Sequence, residues 1–164
     1  MRMRNLLHAV AVLIFMGLAV GPQARAQFSN PSSPMSAMSV PQSEQLQPGE
    51  LVKLLKAGGA QGPVLFQVGS HLMFQQAHIP NSQFAGPGSQ ANGLALLKKL
   101  AAPLKKNQLV VLYCGCCPWN RCPNVGPAYK QMRDLGFTNV KVLYLANNFG
   151  DDWVNKGYPV ERGQ

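Results

Sequence analysis

All four cysteines of this 164-residue chain fall within nine consecutive positions, as Cys114-Gly-Cys116-Cys117-Pro-Trp119-Asn120-Arg121-Cys122. Bridges confined to one loop cannot staple a fold, so the clustering argues for chemistry: thiol transfer, redox exchange or metal binding. The nucleophile of such chemistry is the thiolate, and an ordinary thiol with a pKa of about 8.5 is mostly protonated at neutral pH. Lowering that pKa by about two units needs about 2.7 kcal/mol of differential stabilisation. A helix dipole supplies about 0.3–1 kcal/mol, so loop N–H groups and a nearby cation must provide the rest. Cys114 is the expected nucleophile, and Arg121 the expected partner for an anion. Trp119 and Asn120 are expected to line the pocket. Three readings of Cys116, Cys117 and Cys122 stay open. One of them resolves the Cys114 product as a disulfide, or Cys117 and Cys122 form a structural bridge, or the set holds Zn²⁺ or Cu⁺. The Cys-x-Cys-Cys-x₄-Cys spacing lacks the usual paired C-x₂-C pattern, which argues against zinc. No metal or cofactor is expected in the first reading.

The elements around the loop explain why a sulfur there would be reactive. Leu109-Val110-Val111-Leu112-Tyr113 is an unbroken apolar run rich in β-branched residues, the pattern of a strand buried on both faces. After Asn124 the apolar residues Val125, Ala128, Tyr129, Met132 and Leu135 recur at helical spacing, with a stop at Gly136. Strand, polar loop and helix N-terminus together make an anion site. Upstream, the spacing predicts a helix over 48–58 carrying Leu51, Leu54 and Leu55, a strand over 63–68, a helical turn over 71–77 and a helix over 91–104 that Pro103 frays. Downstream come a strand over 139–145 and a short helix around Trp153, which Asp151 and Asp152 cap or begin. Strands alternating with helices imply a mostly parallel sheet with helices on both faces, a three-layer α/β domain. In such sheets ligands sit beyond the carboxyl ends of the strands, which again selects the loop after Tyr113.

The front of the chain reads as an address. Residues 1–26 combine Arg2 and Arg4, an apolar run and an Ala24-Arg25-Ala26 cleavage pattern. Export to a periplasm or beyond the cell is therefore expected, with no stable membrane anchor after cleavage. Residues 27–47, rich in Ser, Pro, Met and Gln, read as a flexible linker. Met35 and Met38 are thioethers of the kind that collect copper, but a plain tether is the favoured reading. Residues 48–164 form the one domain. Losing three arginines with the leader takes the formal charge from +9 to +6. The basic residues are dispersed and lack interleaved aromatics, so nucleic acid is not an expected partner. The carboxylates form no catalytic pair, and His78 reads as a structural residue before Ile79-Pro80. The oligomeric state is not readable.

Four stretches in order carry a resemblance: Ala77-His78-Ile79-Pro80-Asn81-Ser82, then Val110-Val111-Leu112-Tyr113-Cys114, then Leu135-Gly136-Phe137-Thr138-Asn139-Val140, then Trp153 followed by Gly157-Tyr158-Pro159-Val160. Together they resemble a single rhodanese-like domain. The resemblance implies a five-stranded parallel sheet and a sulfurtransferase in which Cys114 carries sulfane sulfur as a persulfide. The implied partners are a small sulfur-containing donor, of thiosulfate or persulfide type, and a thiol or protein acceptor. Two features depart from the family pattern. Gln67-Val68-Gly69 stands where Asp-x-Arg is frequent, and the cysteine loop is lengthened, with Arg121 seven residues after Cys114. The competing readings are an exported thiolate module that binds metal or a partner through the loop, and a thiol–disulfide redox protein.

Overall fold

The computed structural model describes residues 37–58 and 62–163. The leader read over 1–26, the first part of the linker and Met35 lie outside the described residues, as do Gly59 and the side chain of Met38. The described chain forms β1 (Gln45–Leu46), α1 (Pro48–Gly58), β2 (Val64–Gln67), α2 (His71–Gln76), β3 (Gln83–Phe84), α3 (Ala91–Ala101), β4 (Val110–Tyr113), α4 (Val125–Asp134), β5 (Val140–Leu143) and α5 (Phe149–Asp152). The five strands make one sheet in the order β1-β5-β4-β2-β3, with every pair parallel.

β4 is the centre of that sheet, paired to β2 from Val64↔Val110 to Gln67↔Tyr113 and to β5 from Val110↔Val140 to Leu112↔Val142. All four of its residues are buried, so its sequence shows no alternation, yet the pleat still divides them. Val110 and Leu112 pack with Val140, Val142, Leu97, Ala128 and Met132 on the α3/α4 face. Val111 and Tyr113 pack with Leu51, Ile79, Phe149 and Trp153 on the opposite face. Continuing the alternation one residue further sends the Cys114 side chain toward α4, where it joins the first cluster.

The helices begin and end where their residues dictate. Glu50 accepts from the Gln47 N–H at 2.9 Å before α1, and Ser70 Oγ accepts from the Met73 N–H at the start of α2. α3 stops at Ala101 because Pro103, two residues on, brings no N–H to continue the ladder. At α5 the cap is Asn148, whose Oδ1 accepts from the Asp151 N–H, while Asp152 reaches back to the Asn147 and Asn148 amides. His78 is structural, as its sequence context suggests. It is buried, its Nδ1–H donates to the Phe74 carbonyl at 2.8 Å, and it pairs in a short antiparallel bridge with Glu161.

The linker expectation needs revision over residues 37–47. Ala37–Ser39 and Gln42–Glu44 form 3-10 turns, Ala37 and Val40 are buried, and Gln45–Leu46 adds the edge strand beside β5. The Ala37 N–H donates to the Cys122 carbonyl at 3.1 Å. A stretch of low hydropathy is ordered here because two small apolar side chains find a prepared surface on α4 and the cysteine loop.

Candidate functional site

The sulfurs meet where β4 ends. The Cys114 Sγ lies 3.0 Å from the Cys116 Sγ, which lies 3.1 Å from the Cys117 Sγ. The ligand atoms of Cys114, Cys116 and Cys122 all fall within 4.8 Å of one another. All four cysteines are free thiols. Cys114 and Cys122 are each only 3 % exposed, while Cys116 and Cys117 are half-buried. Gly115 makes the turn between them. Its φ is +72°, and a Cβ there would stand 2.5 Å from the Cβ of Phe149, so a glycine is required on both counts.

Asn124 is the residue the sequence did not single out. It precedes α4 in the position of an N-cap, but its side chain makes no cap hydrogen bond. Its Oδ1 instead accepts from the Ser89 N–H at 3.1 Å and from the Ser89 hydroxyl at 2.8 Å. That fixes the amide orientation and aims Nδ2 at the sulfurs, 3.3 Å from Cys114 and 3.6 Å from Cys116. The approach of the Ser89 segment depends on Gly88, where a Cβ would fall 2.2 Å from the Asn124 carbonyl oxygen. An asparagine before a helix signals a cap in sequence, and nothing local reveals that its amide is used elsewhere.

Gly69 lies against the nucleophile candidate from the other side. A Cβ there would be 3.0 Å from the Cys114 Sγ and 2.7 Å from Gln67 Nε2. The buried Gln67 accepts from the Gly69 N–H at 3.1 Å and donates to the Cys114 carbonyl. The Gln-x-Gly that replaces the frequent Asp-x-Arg thus frames Cys114 with a neutral amide and an absent side chain.

Charge in the cluster settles on Cys116. Hydrogen bonds from Cys114 and then Cys122, with help from Cys117 and Asn124, hold the Cys116 thiol well below the ordinary range against its own burial. Cys114 moves the opposite way, raised by donating to Cys116, by its contact with Cys122 and by burial. Burial raises Cys117. The Cys122 thiol is raised on balance: Cys114 and the Asn124 and Val125 amides at the start of α4 favour its ionisation, but Cys116 and burial outweigh all three. The helix N-terminus expected to face Cys114 therefore meets Cys122. Of the four thiols, Cys116 is therefore the one its neighbours favour in the ionised form.

The remaining sequence candidates divide. Trp119 is half-buried, packs on Tyr144 with centroids 5.0 Å apart, and helps line a void of about 10 Å³ with Cys114, Gly115, Cys117, Cys122 and Val125. Asn120 and Arg121 are exposed on the 3-10 turn Trp119–Arg121. Among the described residues no hydrogen bond or ion pair joins the Arg121 guanidinium to the sulfurs. A roomier cleft of about 610 Å³ lies at the start of β2, bordered by Val52, Leu55, Pro63, Val64, Pro80 and Gln83. It holds no cysteine, and the chemistry follows the sulfurs rather than the volume.

A parallel α/β sheet with its cysteines gathered beyond the carboxyl end of the central strand puts the candidate site where such sheets bind ligands. Residues 47–145 match the family model of the rhodanese-like domain, and the chain belongs to that family, which is of sulfurtransferase type. Solved structures share its fold. The crystal structure of the Alr3790 protein from Anabaena sp. superposes with a TM-score of 0.54 at 18% identity, over 71% of this chain and 82% of that one. The solution structure of the rhodanese-like domain of the same protein gives 0.53 at 18% identity, over 73% and 79%. A rhodanese-related protein from Thermoplasma volcanium gives 0.50 at 17% identity, over 72% and 97%. No curated protein is similar enough in sequence to count as a match.

Proposed function

We propose that this protein is an exported sulfurtransferase that carries sulfane sulfur as a persulfide on Cys114. The observation that supports this reading is the Cys114 sulfur at the carboxyl end of β4, hydrogen-bonded at 3.0 Å to the Cys116 sulfur. Opening of the loop to a thiosulfate-type donor breaks the hydrogen bonds that hold Cys114 protonated, and its S–H proton then passes to solvent. The Cys114 sulfur then bonds to the outer sulfur of the donor, the donor's S–S bond breaks, and sulfite leaves with the bonding pair. A thiol or protein acceptor later attacks the outer sulfur and restores the Cys114 thiol. Asn124 Nδ2 donates to whichever of the two sulfurs is charged. Exposed Arg121 draws the anionic donor to the loop mouth.

A void of about 10 Å³ is about the size of one water molecule, so loading requires the cysteine loop to open. Export rests on the leader pattern in residues 1–26. Among the described residues no helix is long and apolar enough to cross a membrane. The test is mass spectrometry of the reduced protein after incubation with thiosulfate and with a low-molecular-weight persulfide. One added sulfur on the peptide containing Cys114, absent from Cys114→Ser, is expected. No sulfur adduct on any cysteine with either donor would overturn the reading.

A further inference from the structure

We infer that Cys114, Cys116 and Cys122 form a three-coordinate thiolate site for a soft monovalent cation, Cu(I). The three sulfurs lie within 4.8 Å of one another, two of them at 3.0 Å. In a trigonal site with metal–sulfur bonds of about 2.3 Å the sulfurs stand about 4 Å apart, so each must shift by only about 1 Å or less to close on an ion. Their placement is not left to a loose loop. Cys114 is fixed by the end of β4, and Cys122 by its carbonyl bond from Ala37 and its position just before α4.

The donor set selects the ion. It consists of three soft sulfurs without a carboxylate or an imidazole; His78 is committed to the Phe74 carbonyl, and His71 packs on Phe84. Structural Zn²⁺ takes four ligands, and Cys117, although 3.1 Å from Cys116, stands outside the trio. Thiolates in low coordination number suit Cu(I). An adjacent void of atomic size, walled by Trp119, Val125, Leu143 and Leu145, borders Cys114 and Cys122 of the trio together with Cys117, and its apolar walls favour an ion that sheds its hydration. Three thiolates around one monovalent cation leave excess negative charge, and Asn124 Nδ2, held by Ser89, donates to two of the three sulfurs from the second coordination sphere. The site shares Cys114 with the sulfurtransferase reading, so a bound ion and a Cys114 persulfide exclude each other, but the distances that carry it do not depend on that reading.

The experiment titrates reduced, leader-free protein with Cu(I) under anaerobic conditions against bicinchoninate, with X-ray absorption on the loaded protein. One Cu(I) per chain with three sulfur neighbours is expected. Cys116→Ser and Cys122→Ser, each checked for native circular dichroism, should lose stoichiometric binding, while Cys117→Ser keeps it. Asn124→Ala should weaken binding on the order of 10–100-fold. The inference is overturned if the wild-type chain leaves the copper with the chelator. It is equally overturned if Cys117→Ser loses binding as Cys116→Ser does, or if Zn²⁺ displaces the bound copper. Thiosulfate loading of the copper-free protein is read separately, so a failure of sulfur transfer and a failure of metal binding are told apart.

Discussion

A thiol that accepts hydrogen bonds from its neighbours loses its proton, and one that donates keeps it. This asymmetry separates two residues that look alike in the sequence. Cys116 receives from Cys114, Cys122, Cys117 and Asn124 and is held low, while Cys114 donates and is held high. The sign follows directly. A folded-state pKa below the unfolded value keeps the Cys116 thiolate as pH falls through 8.5, and its contribution to stability, full above the unfolded value, declines from there and is gone once pH has fallen through the depressed folded value. Alkylation by iodoacetamide, mapped by mass spectrometry, should therefore proceed at Cys116 at a nearly constant rate from pH 8 to pH 5. In the urea-unfolded chain the same rate should fall about tenfold per pH unit. A Cys116 rate that tracks the unfolded control would mean that the hydrogen bonds do not hold the charge there. Arg121 acts at longer range. Its guanidinium is exposed and has no bond to the sulfurs, so Arg121→Ala should raise KM for thiosulfate several-fold and leave kcat within about twofold. A large fall in kcat at unchanged KM would instead place the guanidinium on the reacting atoms.

Among the elements, the three central strands and the helices over 48–58, 91–101 and 125–134 are legible, because long apolar runs and 3.6-residue periodicity record burial directly. The two edge strands are not. Gln45–Leu46 and Gln83–Phe84 have two residues each and no alternation to read, and they exist because β5 and β2 offer them free carbonyl and amide edges. The cysteine loop holds its shape through one backbone position. Gly115 combines a left-handed φ with the close approach of Phe149, whose N–H donates to the Gly115 carbonyl at 3.0 Å. Gly115→Ala should cost about 1–2 kcal/mol for the backbone and about 1–3 kcal/mol for the clash. The melting temperature should fall by roughly 10 °C or more, with thiol reactivity altered at Cys114 and Cys116. A melting temperature within a degree or two of wild type would show that the loop relaxes freely.

At the scale of the molecule, the described N-terminal segment is part of the site's support. Ala37 and Val40 are buried against α4 and the cysteine loop, Ala37 bonds to the Cys122 carbonyl, and Lys141 pairs with Glu44 at 2.9 Å. A chain beginning at Gln47 should be less stable by roughly 2–4 kcal/mol, mainly from the loss of Val40 and Ala37 burial, and its Cys122 should alkylate faster. Equal denaturation midpoints for the two lengths would return residues 37–46 to the status of a tether. The α/β layering, the strand that leads into Cys114 and the crowding of four sulfurs after it are all legible in the chain before it folds, because burial and covalent order are written in apolar pattern and spacing. Only the folded chain reveals which thiol its neighbours favour in the ionised form, that Asn124 turns to the sulfurs instead of capping its helix, and that Gly69 and Ser89 frame the pair. Those outcomes depend on the direction of hydrogen bonds between segments far apart in the chain, and no local pattern encodes a direction.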